Sequence, residues 1–104
     1  MMLKKGNIYM MRQEGKDKGF PVLALSNEET ALKTGTVVVV PLSRHESEPS
    51  PSHVQVVQRG QWVSFVICER IRSVPPSWLR KKLGFLDSLN MRAVDKTLAA
   101  LMDL

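Results

Sequence analysis

Residues 37–42 read VVVVPL, four consecutive β-branched residues with no polar alternation. Such a run is stiff at χ1 and disfavours a helix, and it fits a strand buried on both faces rather than a half-exposed one. A strand anchored that firmly presents its end rigidly. Directly after it come Ser43, Arg44, His45 and Glu46, so a hydroxyl, a guanidinium, an imidazole and a carboxylate leave a fixed support.

The segments around this strand are short. Gly6–Met11 reads as a first strand, Arg12–Gly19 as a polar loop, and FPVLALSN as a second strand with Pro21 at its start, where a missing N–H is tolerated. Asn27 opens a brief excursion with room for a helical turn. Residues 44–52 are too polar to pack and too rich in Pro to pair, so they read as an exposed loop. HVQVV and QWVSFVIC form a hairpin turning at Arg59 and Gly60, with His53 and Gln55 alternating against Val54 and Val56. ERIRSV follows, continuing the sheet or leaving it, and Pro75 and Pro76 stop regular pairing. SWLRKKLG is expected to form one or two helical turns closed by Gly84. The last helix, capped by Asp87 or Ser88, carries Met91, Val94, Leu98, Leu101 and Met102 on one apolar face. The expectation is one mainly β domain with α over residues 1–104: a small, strongly curved antiparallel sheet or partly open barrel covered by the terminal helix.

A chain of 104 residues supports one core of this kind. Its net charge of +5, with basic residues clustered, favours a polyanionic partner. A single cysteine, Cys68, cannot form an internal disulfide, and no paired metal-ligand spacing is present, so neither a metal nor another cofactor is expected. There is no signal-like apolar core and no run approaching the ~20 residues of a membrane span. A cytoplasmic protein without membrane contact is expected.

Three polar sets fall beside strand ends: Ser43, Arg44 and His45; Glu69, Arg70 and Arg72; and Arg12, Lys16 and Lys18. Each has an ordinary explanation. Ser43 can bond the turn backbone, His45 can be a plain loop residue, and Glu69 can pair with neighbouring arginines at the surface. Together they suit another purpose. Histidine is the residue type that ordinarily exchanges a proton near neutral pH, and Glu69 can act as a carboxylate base beside guanidinium groups that hold a phosphate while charge develops on it. That set suits cleavage of RNA by its own 2′-hydroxyl. Trp62 and Trp78 could stack on bases, although Trp62 reads first as core; His53 reads as a strand residue with a satisfied hydrogen bond.

The order of these motifs resembles the MazF/PemK family of bacterial toxins. KKGNIYMM is similar to that family's first strand, KGFPVLALSNEE to its second, VVVVPLSR and SHVQV to the strands that follow, and VICERIRSV to its Asp-Gln-x-Arg-Thr stretch. The similarity continues through LGFLDSLNMRAVDKTLAALMDL, nearly the whole chain. It implies a CcdB/PemK-like fold, an SH3-like antiparallel barrel with a C-terminal helix, usually a homodimer. It also implies metal-independent, sequence-specific cleavage of single-stranded RNA, restrained by an antitoxin with an acidic, flexible tail. By the same resemblance Ser43, Glu69 and Arg72 fall on positions of the family's site, while Arg70 stands where Gln is usual. Joined to the reading of the residues, this makes Ser43, Glu69, Arg70 and His45 the expected catalytic set and Arg12, Lys16, Lys18, Arg44 and Arg72 the expected RNA-binding set. Phe20 stands where the family has an Arg before Pro21, and Ile67 lacks an Arg that some members carry. A chain that has lost catalysis and only binds RNA or antitoxin is the alternative, with gyrase poisoning through Leu101–Leu104 a third.

Overall fold

The computed structural model describes residues 3–45, 49–58 and 62–103, with Gln58, Trp62 and Val63 as backbone. Glu46, the turn at Arg59 and Gly60, and the Trp62 side chain lie outside the described residues. Among those described, seven antiparallel strands form a single sheet: β1 (Asn7–Met11), β2 (Phe20–Ala24), β3 (Val37–Ser43), β4 (His53–Gln58), β5 (Trp62–Ile67), β6 (Arg72–Val74) and β7 (Leu79–Phe85). They run in the order β4-β5-β3-β2-β1-β7, and β6 also pairs with β3. Helices α1 (Glu28–Thr34) and α2 (Ser88–Leu101) complete the fold. The expected mainly β architecture with a terminal helix is present. The sheet is not closed into a barrel, because β4 and β7 end the path without pairing to each other.

The valine run is buried from both sides, and the register shows why. Val40 and Leu42 join Ile8, Leu23, Val54, Val56, Val66, Leu86, Val94 and Leu98 in a first core. Val37 and Val39 point the other way, into a second core with Tyr9, Met11, Val22, Ala24, Ala31, Val74 and Leu79. Successive side chains on a strand alternate faces, so a strand shared by two cores has no polar positions to offer. β2 is shared in the same way, since Leu23 pairs with Val40 on one face and Ala24 with Val39 on the other.

α1 is short and held at both ends. Asn27 Oδ1 accepts from the Thr30 amide at 3.0 Å, and Gly35, at φ 75°, takes the left-handed conformation that closes the helix on the Ala31 carbonyl. Glu28 ties the N-terminal segment down by accepting from the Leu3 amide at 2.8 Å. α2 covers the first core with Val94 and Leu98, while Leu101 and Met102 remain about half exposed beyond it. Asp87 caps α2 by accepting from the Asn90 amide at 2.8 Å. Asp87→Ala is expected to lower stability by about 1 kcal/mol, seen as a fall of roughly 4–8 °C in the thermal midpoint.

One expectation is corrected. Leu79–Phe85 is an edge strand against β1, not a helical turn; only Pro76–Trp78 turns helically, as a 3-10 turn. A helix of one or two turns is marginal by itself, and the free edge of β1 offered the segment a ladder of hydrogen bonds instead, with two register shifts along it. Arg80, Lys81 and Lys82 therefore lie along an exposed edge strand, where basic side chains discourage sheet-to-sheet association.

Candidate active site

The open end of the second core's face carries the candidate groups. Ser43 pairs with Phe65, and Phe65 with Gln55; one step inward, Ile67 pairs with His53. Directly opposed residues share a face, so Ser43, Phe65 and Gln55 form one row and Ile67 and His53 the next, with Pro41 two residues before Ser43 on the same side of β3. On the other side Val22 pairs with Pro41. Phe20, two residues before Val22, begins β2 on the same face.

Ser43 ends β3 half-buried. Its Oγ donates to the His45 carbonyl at 2.7 Å and accepts from the His45 amide at 3.2 Å, and its own carbonyl accepts from Ser64 Oγ at 3.0 Å. The hydroxyl thus shapes the turn that places Arg44 and His45, both exposed, beside it.

Glu69 lies in a 3-10 turn, Cys68–Arg70, between β5 and β6, which pair with the two ends of β3 in turn. Its Oε1 accepts from Ser52 Oγ at 2.7 Å and its Oε2 sits 2.9 Å from His53 Nε2. These two bonds, from Ser52 first and His53 second, hold the carboxyl at about 2, well below its ordinary 4.5. Glu69 is therefore an anion throughout the neutral range. The expectation of Glu69 as a base is thereby corrected: a carboxylate this weakly basic is suited to orienting an imidazole and stabilising its charge more than to taking a proton itself. Since an ionised carboxylate only accepts, His53 Nε2 carries the hydrogen of that bond. The His53 side chain is only 11% exposed against 42% for Glu69, so the pair has one packed member and one at the surface.

Ser43 and His53 stand two strands and two residues apart, roughly 12 Å on the spacing of a sheet. No hydrogen bond joins Ser43 to Glu69 among the described residues. They flank a stretch of the face floored by Pro41, Ile67 and Phe65. Arg72, paired with Val39, faces the same side and lies over the Trp78 ring at 5.5 Å. That contact occupies Trp78, which packs half-buried against the second core and is not a free stacking surface. Arg12 begins the β1–β2 loop by donating its amide to the Trp78 carbonyl, so the loop and Arg72 are neighbours. Arg12, Lys16, Lys18, Arg44 and Arg70 are exposed and make no ion pair among the described residues. Cys68 is fully buried, and its thiol is pushed up to about 11 by that burial and then by Glu69, which leaves it inert as a nucleophile.

A family model described as PemK-like, MazF-like toxin of type II toxin-antitoxin system matches residues 4–102. The chain belongs to this family. Among solved structures, MazE-MazF from Deinococcus radiodurans is similar at a TM-score of 0.82 and 18% identity, covering 100% of this chain and 99% of that one. An endoribonuclease in complex with its cognate antitoxin from Mycobacterial species is similar at 0.81 and 22%, covering 96% and 94%. The Mycobacterium tuberculosis toxin MazF-mt6 is similar at 0.76 and 24%, covering 94% and 97%. All three likenesses speak for the fold.

In this MazF-like toxin the Ser43 row, the Glu69–His53 pair and the basic β1–β2 loop thus border one face. His53 and Ser52 are the partners that the sequence did not single out for Glu69. The signal for His53 was there in the alternation of HVQVV, which puts it with Gln55 away from the core; its meeting with Glu69 required the pairing of β4 with β5. No helix is long and apolar enough to cross a membrane, and no three His, Cys, Asp or Glu side chains group as metal ligands among the described residues.

Proposed function

We propose that this MazF-like toxin is an endoribonuclease that cuts single-stranded RNA at specific sequences without a metal ion, as a homodimer, and that an acidic antitoxin restrains it by covering the same face. The observation that carries this reading is the ionised Glu69, bonded to Ser52 and His53, on the face that also carries Ser43 and borders unpaired cations. A strand of phosphates and an acidic peptide would both be held by Arg12, Lys16, Lys18, Arg44, Arg70 and Arg72. The similar structures of a MazE-MazF pair and of an endoribonuclease with its cognate antitoxin support an antitoxin as a partner.

In the reaction the RNA 2′-oxygen bonds to the adjacent phosphorus and the bond to the 5′-oxygen breaks. The 2′ proton passes to an imidazole, for which His45 beside Ser43 is the exposed candidate, and the departing 5′-oxygen takes up a proton. The Arg70 and Arg72 guanidiniums offer donors to the pentavalent phosphorus oxygens, and Ser43 Oγ adds one when its hydrogen turns from the His45 carbonyl to the phosphate. Glu69 and His53 supply a fixed charge at the other side. The products would be a 2′,3′-cyclic phosphate and a free 5′-hydroxyl.

The test is incubation of antitoxin-free protein with a long single-stranded RNA in EDTA. Discrete fragments ending in a cyclic phosphate are expected, with Ser43→Ala slower by roughly 10- to 100-fold. Intact RNA with a preparation shown to be folded would overturn catalysis and leave a binding protein. Sedimentation of the same preparation checks the dimer.

A further inference from the structure

Phe20 is 44% exposed, whereas Val22, next along the same face, is fully buried, as is Met11, its partner across β1. It forms one wall of a cavity of about 470 Å3 whose other lining residues are Gln13, Lys16, Asp17 and Lys18, all from the β1–β2 loop. The space is open to solvent and its lining residues are all exposed, so it offers a wall to lie against and not an enclosed pocket. The loop is not simply adrift above it. The Arg12 amide is bonded to the Trp78 carbonyl at one end, and the Lys16 amide donates to the Gln13 carbonyl within it. A Cβ on Gly19 would lie 2.7 Å from the Met11 carbonyl oxygen, so only glycine lets the chain return to β1 this closely beside Phe20.

The lining has the chemistry of a nucleotide subsite: an aromatic face, an amide able to donate and accept, a carboxylate able to accept from an exocyclic amine, and two ammonium groups. We propose that Phe20 is the stacking platform for one unpaired nucleobase, with Gln13 and Asp17 at the base edge and Lys16 and Lys18 on the flanking phosphates. This rests on the reading of single-stranded RNA as the substrate and adds to it a subsite at the start of β2, the strand that pairs with β3. An aromatic residue here favours strand binding and positioning, not proton transfer. The other occupant to consider for an exposed Phe is a second copy of the chain. A two-fold contact centred on Phe20 would press Arg12, Lys16 and Lys18 against their own equivalents, whereas a phosphate strand neutralises them.

The experiment measures binding of a fluorescently labelled 2′-O-methyl hexaribonucleotide, which cannot be cleaved through its 2′-oxygen, by anisotropy. An abasic residue is walked through its six positions. Phe20→Leu is expected to weaken the intact strand by roughly 5- to 150-fold, with Phe20→Trp binding like the unaltered protein. One abasic position should weaken binding to the unaltered protein and leave Phe20→Leu unaffected, because base and ring are lost as a pair. Equal binding by Phe20→Leu and the unaltered protein, or a loss that no abasic position reproduces, would overturn the stacking subsite and leave RNA recognition intact. Dissociation of a dimer on Phe20→Leu with oligonucleotide binding unchanged would assign Phe20 to the second copy instead. Failure of the unaltered, folded protein to bind any oligonucleotide would overturn the RNA reading itself, and this subsite with it.

Discussion

Glu69→Gln is expected to slow RNA cleavage by roughly 100- to 10,000-fold at neutral pH while the protein remains folded. An amide at this position can still accept from Ser52, but it turns an N–H toward His53 Nε2, which also carries a hydrogen. The imidazole must then change tautomer or move, and the fixed negative charge is gone in either case. A purely structural role for Glu69 makes a different forecast, namely loss of stability with the remaining folded fraction fully active. The pH dependence of folding separates the two. Because Glu69 is held at about 2 in the folded chain against its ordinary 4.5, its contribution to stability is complete above about 4.5 and disappears as pH falls toward 2. Urea melts at pH 7, 4.5 and 3 should therefore show the unaltered protein weakening with acid more steeply than Glu69→Gln. The difference at pH 7 should be modest, since the Glu69 side chain is 42% exposed and its ion pair is partly screened by solvent. A large loss of cleavage with a small loss of stability is the combination expected of a group at the reacting phosphate.

What the sequence disclosed follows the range over which its signals act. The valine run is a local signal with a strong cause, since four β-branched residues in a row leave few alternatives to a strand buried twice, and the two cores fall where that implies. The caps at Asn27 and Asp87 are equally local. SWLRKKLG misled because Leu, Arg and Lys are good helix formers in isolation. Its strand state is imposed by the free edge of β1, some seventy residues earlier, and nothing within the segment announces it. The same holds at the site. Ser43 with His45 could be read from adjacent residues, and the turn bond between them is the ordinary one for a serine there. Glu69 with His53 could not, because the two are sixteen residues apart and meet only through the β4–β5 register. Phe20 read as a missing cation when compared with the family; its exposure beside a lined cavity is a property of the folded loop.

Leu23→Ala should remove about 2–5 kcal/mol of stability, lowering the thermal midpoint by 10 °C or more. Leu23 is fully buried in the first core, flanked across the strands by Ile8 and Val40. Its strand is interior to the sheet, and its neighbours Val22 and Ala24 fill the second core, so the backbone cannot move toward the cavity without disturbing packing on the opposite face. Sites that cannot collapse sit at the upper end of the cost of such truncations. A domain of this size has only about 5–15 kcal/mol in total, so the variant would forfeit a large share of it. Leu32→Ala is the control, since Leu32 on α1 is 79% exposed and should change stability by less than about 0.5 kcal/mol. Because Phe20 begins the same strand that Leu23 anchors, the truncation also tests how the face is held. If Leu23→Ala still folds at low temperature but binds oligonucleotide more weakly than the control, the first core is setting the position of the Phe20 rim from the far side of the sheet. Melting of Leu23→Ala at the control's temperature would mean that β2 is not shared between two cores, and the explanation of the valine run would fall with it.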